Sequence, residues 1–225
     1  MYPRRRFLAW GAMAAVTVPG VLEWAGQGVA QGQSDENIHF LWLFEAREKR
    51  QPGDRVEHFA ITQDTELKLG DQLRMALELR KPCYVYVLYH SAQGELQQLF
   101  PYEQGKFEQD HALDKRYLIP AGEDMWFTLN GKTGQETFYL LASTKRLIDL
   151  ETLLAAHSAA AAAERAPLVS QTLAAIRKLK RQHRQLASPA ERPIPIAGNM
   201  RHDVKPTEVR AQDFYSKTFT LDTTA

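Results

Sequence analysis

Residues 72–100 read Gln-Leu-Arg-Met-Ala-Leu-Glu-Leu-Arg-Lys-Pro-Cys-Tyr-Val-Tyr-Val-Leu-Tyr-His-Ser-Ala-Gln-Gly-Glu-Leu-Gln-Gln-Leu-Phe, and this stretch decides the fold. Leu73, Met75, Leu77 and Leu79 alternate with Gln72, Arg74, Glu78 and Arg80, the period-two pattern of an antiparallel strand with one face in a core. Lys81-Pro82 interrupts it, because proline has no N–H to give a ladder. Cys83 to Tyr89 is apolar or aromatic on both faces, the mark of a central strand covered twice. Ser91-Ala92-Gln93-Gly94 turns the chain, and Leu96 to Phe100 runs back beside it until Pro101.

The same period extends in both directions. Ile38, Phe40, Trp42 and Phe44 form one face of an earlier strand, and Gln51-Pro52-Gly53-Asp54 is a turn signal after it. Tyr117–Ile119, Met125–Leu129 and Gln135–Ala142 give three more strands, separated by Pro120-Ala121-Gly122 and Asn130-Gly131-Lys132-Thr133-Gly134. Seven or eight short strands over about 110 residues predict a mainly β domain at 35–147, an antiparallel β-sandwich of immunoglobulin-like or related type. From Ile148 the period becomes helical. Leu150, Leu153, Leu154 and the alanine run Ala159–Ala163 predict a first helix with Asp149 as N-cap. Pro167 fits the first turn of a second, whose stripe is Val169, Leu173, Ile176, His183 and Leu186. The helical segment therefore covers 148–187. Residues 188–225 read as a Pro-rich connector, Ser188 to Pro195, then a final strand returning to the sheet through Tyr215, Phe219 and Leu221.

Residues 1–30 are an address, not part of the fold. Arg4, Arg5, Phe7 and Leu8 open an apolar stretch that ends by Leu22, and Gly28-Val29-Ala30 supplies small residues for a peptidase. The pattern resembles a twin-arginine export signal cleaved after Ala30. Ala9 stands where that signal usually has Lys, and Pro3 precedes the pair, so general secretory export and a retained anchor stay open. A periplasmic or secreted protein is expected.

Composition narrows the class. The 225 residues are 44% hydrophobic, with 28 basic and 27 acidic side chains, which excludes a disordered chain and a coat for nucleic acid. The single Cys83, inside an apolar run, excludes a disulfide scaffold and reads as a buried small hydrophobe. Charge is unevenly placed. Residues 165–192 carry a net +6, concentrated in Arg177-Lys178-Leu179-Lys180-Arg181-Gln182-His183-Arg184. Two readings follow: the helix docks on an acidic face of the same chain, or it meets an anionic partner, lipid headgroups or an acidic protein. Nucleic acid does not fit, since no aromatic stacking pattern accompanies the cations.

No catalytic constellation emerges. Gly131-Lys132-Thr133 lacks the upstream glycine of a phosphate loop, Trp126 standing there. No two of His39, His58, His90, His111, His157, His183 and His202 have metal-ligand spacing. Asp110-His111 and His202-Asp203 read as solvated loop pairs. Ser143 lacks a nucleophile elbow, and Asp64, Glu66 and Asp71 lie among turn positions. No cofactor or metal is expected.

Leu69-Gly70-Asp71, Tyr84-Val85-Tyr86-Val87-Leu88, Gly94, Leu99-Phe100-Pro101, Ile119-Pro120, Gly134-Gln135-Glu136 and Leu141-Ala142-Ser143 occur in one order. That run, residues 66–147, resembles the bacterial domain of unknown function numbered forty-three eighty-four. The resemblance implies an accessory domain of exported or multi-module bacterial proteins, without established catalytic residues. The resulting expectation is a non-enzymatic module that binds a partner protein or cell-envelope component through Tyr84, Tyr86, Tyr89, Arg177, Lys178, Arg181 and Arg184. The alternative is a small ligand, sugar or peptide, in an aromatic cleft built from Trp42, Trp126 or the tyrosines. A hydrolase ranks third.

Overall fold

The computed structural model describes residues 36–48, 58–103, 110–130, 132–186, 188–194 and 204–225. The export signal, with Arg4, Arg5, Phe7, Leu8 and Ala30, lies outside them, as do the Gln51–Asp54 turn, Gly131 and His202. Along the chain the elements are β1 (Ile38–Arg47), β2 (His58–Ala60), β3 (Thr65–Lys68), β4 (Gln72–Leu79), β5 (Tyr84–His90), β6 (Leu96–Phe100), β7 (Arg116–Ile119), β8 (Phe127–Thr128) and β9 (Gly134–Ser143). Then follow α1 (Ile148–Ala159), α2 (Ala162–Gln182), β10 (Ala190–Pro193), β11 (Thr207–Ala211) and β12 (Phe214–Thr224).

The strands form two sheets packed as a sandwich. One has the order β10-β11-β1-β4-β7, with β2 on the end of β1 and β8 on the start of β4; the other is β3-β12-β9-β5-β6. Neighbours run antiparallel apart from β3 and β12, where Leu221 sits opposite Thr65 in a parallel pair. Alternation places Phe40, Trp42 and Phe44 of β1 inward, where they meet Tyr215 and Phe219 of β12 and Phe138 of β9 at ring separations of 4.9–5.5 Å. Such pairs add to the burial term of the core. Leu73, Met75, Leu77 and Leu79 of β4 fill the same layer.

β5 shows why its sequence is apolar on both faces. Val85 and Val87 point into the sandwich, whereas Tyr86 and Leu88 point outward and are covered by the helices. The final strand does return to the sheet. It runs between β9 and β3, paired with β9 from Phe214 to Thr223, with Phe219 and Leu221 buried in the core. β11 likewise completes the first sheet beside β1.

Local details depart from the sequence reading. The N-cap of α1 is Leu147, without a side-chain cap bond, and Asp149 lies in the first turn. The alanine run does not continue α1: Ala160 and Ala161 are both extended, and α2 begins at Ala162. Pro167 is therefore inside α2 at its sixth position. Its missing N–H leaves the Ala163 carbonyl without a helical donor, which is tolerated because both residues are exposed to water. The connector holds the short edge strand β10 on β11. Among the described residues no helix is long and apolar enough to cross a membrane.

Candidate functional site

The outer face of the second sheet carries α1 and α2. Tyr86, Leu88, Leu141 and Phe214 from the strands meet Leu150 and Leu154 of α1 and Val169 and Ile176 of α2 in a second buried cluster. Thr172 is also fully buried, its hydroxyl donating to the Leu168 carbonyl within α2. One polar contact joins the layers. The Tyr86 hydroxyl donates to Glu151 Oε1 at 2.6 Å and accepts the Leu147 N–H at 3.0 Å, so it satisfies the uncapped start of α1. Arg146 pairs with the other oxygen of Glu151. Burial and the Glu151 carboxylate both push the Tyr86 phenol up, keeping it a neutral donor. At the far end of α2, His183 stacks on Phe214 at 4.4 Å and Lys180 donates to Thr218 of β12 at 3.1 Å.

With the apolar side of α2 turned to the sheet, its cations face out. Arg177, Lys178, Lys180, Arg181 and Arg184 are all exposed. None forms an ion pair with a described residue. The expected docking of this helix on an acidic face of the same chain is therefore corrected: burial of Val169, Thr172 and Ile176 holds it, not charge. Arg177 and Arg181, spaced four, share one face of α2, and Arg184 lies in the turn that follows its last residue, Gln182. Lys178 lies on the flank toward α1, where it lines a groove of roughly 500 Å³ with Arg146, Ile148, Leu153, Ala175 and Leu179.

The three candidate tyrosines do not come together. Tyr84 and Tyr86 face the helical layer, and Tyr89 faces the other way, against Phe138 at 4.9 Å. Tyr86 has no exposed surface. The aromatic-cleft residues are also dispersed. Trp42 is buried in the sandwich core. Trp126 is half-buried, with the Arg47 and Arg74 guanidinium carbons 4.1 and 4.3 Å from its ring centre and His58 at its edge. Arg74 also pairs with the buried Glu45.

The family-like motif residues are engaged in folding. Glu136 is 3% exposed and accepts the Tyr89 hydroxyl at 2.6 Å and the Ala92 N–H at 3.1 Å, tying β9 to the β5–β6 turn. Beside it Gly134 has φ +147, and a Cβ there would stand 2.9 Å from the Ala92 Cβ. Asp71 accepts the Lys68 N–H through Oδ2 and so closes the β3–β4 turn. A further carboxylate, Glu208, receives Arg192, Arg210 and His39, and these bonds hold it down to about 2.

The residues tested for chemistry are likewise occupied. Ser143 is buried, and its Oγ accepts the Lys145 N–H. The Asp64 carboxylate accepts the Thr220 N–H. Burial pushes the Cys83 thiol up to about 12. His111, read as a solvated loop residue, instead lies against β5, its Nε2 within 2.9 Å of the Val85 N–H and its ring 5.3 Å from Phe100. Among the described residues no group of three or more His, Cys, Asp or Glu side chains is placed to hold a metal ion. Sequence reasoning missed the roles of Glu136, Glu151 and Arg146. The outward Ile148 beside Arg146, an apolar residue in the exposed first turn of a helix, was the readable signal for the groove.

These features define a β-sandwich with a basic helical layer on one sheet. Residues 66–146 match the family model described as a domain of unknown function (DUF4384). The matched run supplies strands to both sheets, while β1, β2, β10, β11 and β12 come from outside it. A comparison with curated proteins finds no match.

Proposed function

We propose that this protein is an exported, non-enzymatic accessory module that binds a partner protein or cell-envelope component through its helical layer. The observation that carries this reading is the exposed cationic face of α2, whose side chains have no acidic partner among the described residues. Arranging like charges four apart costs a few tenths of a kcal/mol per pair on an isolated helix, a cost that an external anion would offset. The occupation of the family-like motif residues by structural hydrogen bonds supports a binding surface lying elsewhere. The resemblance of residues 1–30 to a twin-arginine export signal supports a partner in the periplasm, at the envelope or outside the cell. The test is cross-linking in the producing bacterium with wild type and with Arg177→Glu/Arg181→Glu/Arg184→Glu. A specific complex that the triple variant loses while remaining folded is the expected result. An unchanged complex refutes it.

A small-ligand reading has one observation in its favour. Between the β5–β6 hairpin and the α1–α2 elbow lies an open cavity of roughly 450 Å³ whose polar lining includes Gln97, His157 and Arg165. Desolvation and the nearby Arg165 lower the His157 pKa, so a neutral imidazole faces this space. A thermal-shift screen with sugars and short peptides tests it, a raised melting temperature being the positive outcome.

A further inference from the structure

We infer that the groove between the start of α1 and the end of α2 is the docking site for an acidic, apolar-bearing segment of a partner protein. This rests on the reading that the helical layer is the binding face, and it names the partner's chemistry.

Two kinds of surface meet in the groove. Its apolar wall comes from Leu150 and Leu153 of α1 and from Ala175 and Leu179 of α2. Leu150 is buried, but Ile148 at the lip is 54% exposed, so a branched apolar side chain stands in water at the mouth. Its rim is cationic. Arg146 and Lys178 both line the space, and Arg181, three residues after Lys178, extends the positive charge along the next turn of α2. Arg146 is engaged by Glu151, whereas Lys178 has no acidic partner among the described residues. Asp149 is the one acid in the lining. An apolar trough with a positive rim complements a segment that presents apolar anchors at helical spacing and carboxylates beside them, the helix-in-groove mode of peptide recognition.

A membrane surface satisfies only half of this. Val169 and Ile176 of α2 are buried against the sheet and Leu173 and Leu179 partly so, which leaves the helix no broad apolar face to insert. A flat lipid surface would engage the outward arginines at about 1 kcal/mol per cation near an anionic leaflet, and it would leave the trough empty. A protein segment fills both.

The experiment places a photo-cross-linker, p-benzoylphenylalanine, at Gln182 on the groove rim of the full chain, in the bacterium that makes it. A control carries the same group at Met125, which is 54% exposed on the loop before β8 of the other sheet. Adducts are digested and sequenced by mass spectrometry. The expected product is a Gln182 adduct to a peptide of net negative charge with apolar residues three or four apart. It should fall at least tenfold in Lys178→Glu/Arg181→Glu. It should fall equally in Ala175→Trp, which fills the trough, and in Ile148→Glu, an exposed change that keeps the test valid should Ala175→Trp fail to fold. A lipid adduct, a neutral or basic peptide, or no adduct above the Met125 control overturns the inference. An adduct that survives Ala175→Trp and Ile148→Glu but not Arg177→Glu/Arg181→Glu/Arg184→Glu removes the groove and leaves the wider function standing. Survival in all of them removes both.

Discussion

Replacing Glu136 by Ala tests whether the family-like motif is a folding device. The carboxylate is almost fully buried and holds two donors, the Tyr89 hydroxyl at 2.6 Å and the Ala92 N–H at 3.1 Å. A hydrogen bond to a charged group contributes about 1.5–3 kcal/mol. The Tyr89 bond is half-buried and should count in that range, whereas Ala92 is exposed and its N–H would return to water at little cost. Removing a buried carboxylate also relieves part of its desolvation. The balance is a loss of about 2 kcal/mol, which for a domain of this size lowers the thermal midpoint by about 4–8 °C. Tyr89→Phe removes the same bond from the other side and should cost about 1–1.5 kcal/mol. Because the two changes delete one interaction, the double variant should fall short of additivity by about 1 kcal/mol. Urea unfolding followed by circular dichroism on the four proteins of this cycle measures it. A Glu136→Ala loss under about 0.5 kcal/mol, or strict additivity, would refute the reasoning.

Other outcomes are equally specific. Tyr86→Phe takes the acceptor from the Leu147 N–H and the donor from Glu151, so the start of α1 should loosen by about 1–2 kcal/mol; hydrogen exchange should quicken at the first turn of α1 more than in β4. Glu208 is depressed from 4.5 to about 2, so its stabilisation is complete above pH 4.5 and is lost as pH falls from there toward 2. Its partner Arg192 is exposed and Arg210 partly so, and the resulting screening limits the effect to about 1 kcal/mol; Glu208→Gln should flatten that part of the acid-unfolding curve. Cys83, buried with its thiol raised to about 12, should resist Ellman's reagent at pH 8 in the folded protein and react fully in urea.

Much of the architecture was legible along the chain because a strand's side chains alternate and a buried face must be apolar. Residues 72–100 gave β4, β5 and β6 with their turns, and the two-sided apolarity of Cys83–Tyr89 anticipated a strand covered on both faces. β2 and β3, of three and four residues, were too short to show a period. The α1–α2 break was hidden because alanine favours a helix wherever it stands, and only the packing of both helices on one sheet bends the chain at Ala160 and Ala161. The candidate site was half legible. The cationic run was plain in the sequence, but not which side of α2 would face outward.

The sequence by itself determined the fold class, the helical segment, the returning final strand and the clustering of charge, since each depends on periodicity or composition. Only the tertiary structure decided which polar groups are available. Tyr86 looked like a binding residue until Glu151, 65 positions later, enclosed its hydroxyl. Trp126 looked like a stacking platform until Arg47 and Arg74 came over its ring. Whether a side chain is free depends on burial and on partners brought from distant parts of the chain, and no local pattern records either.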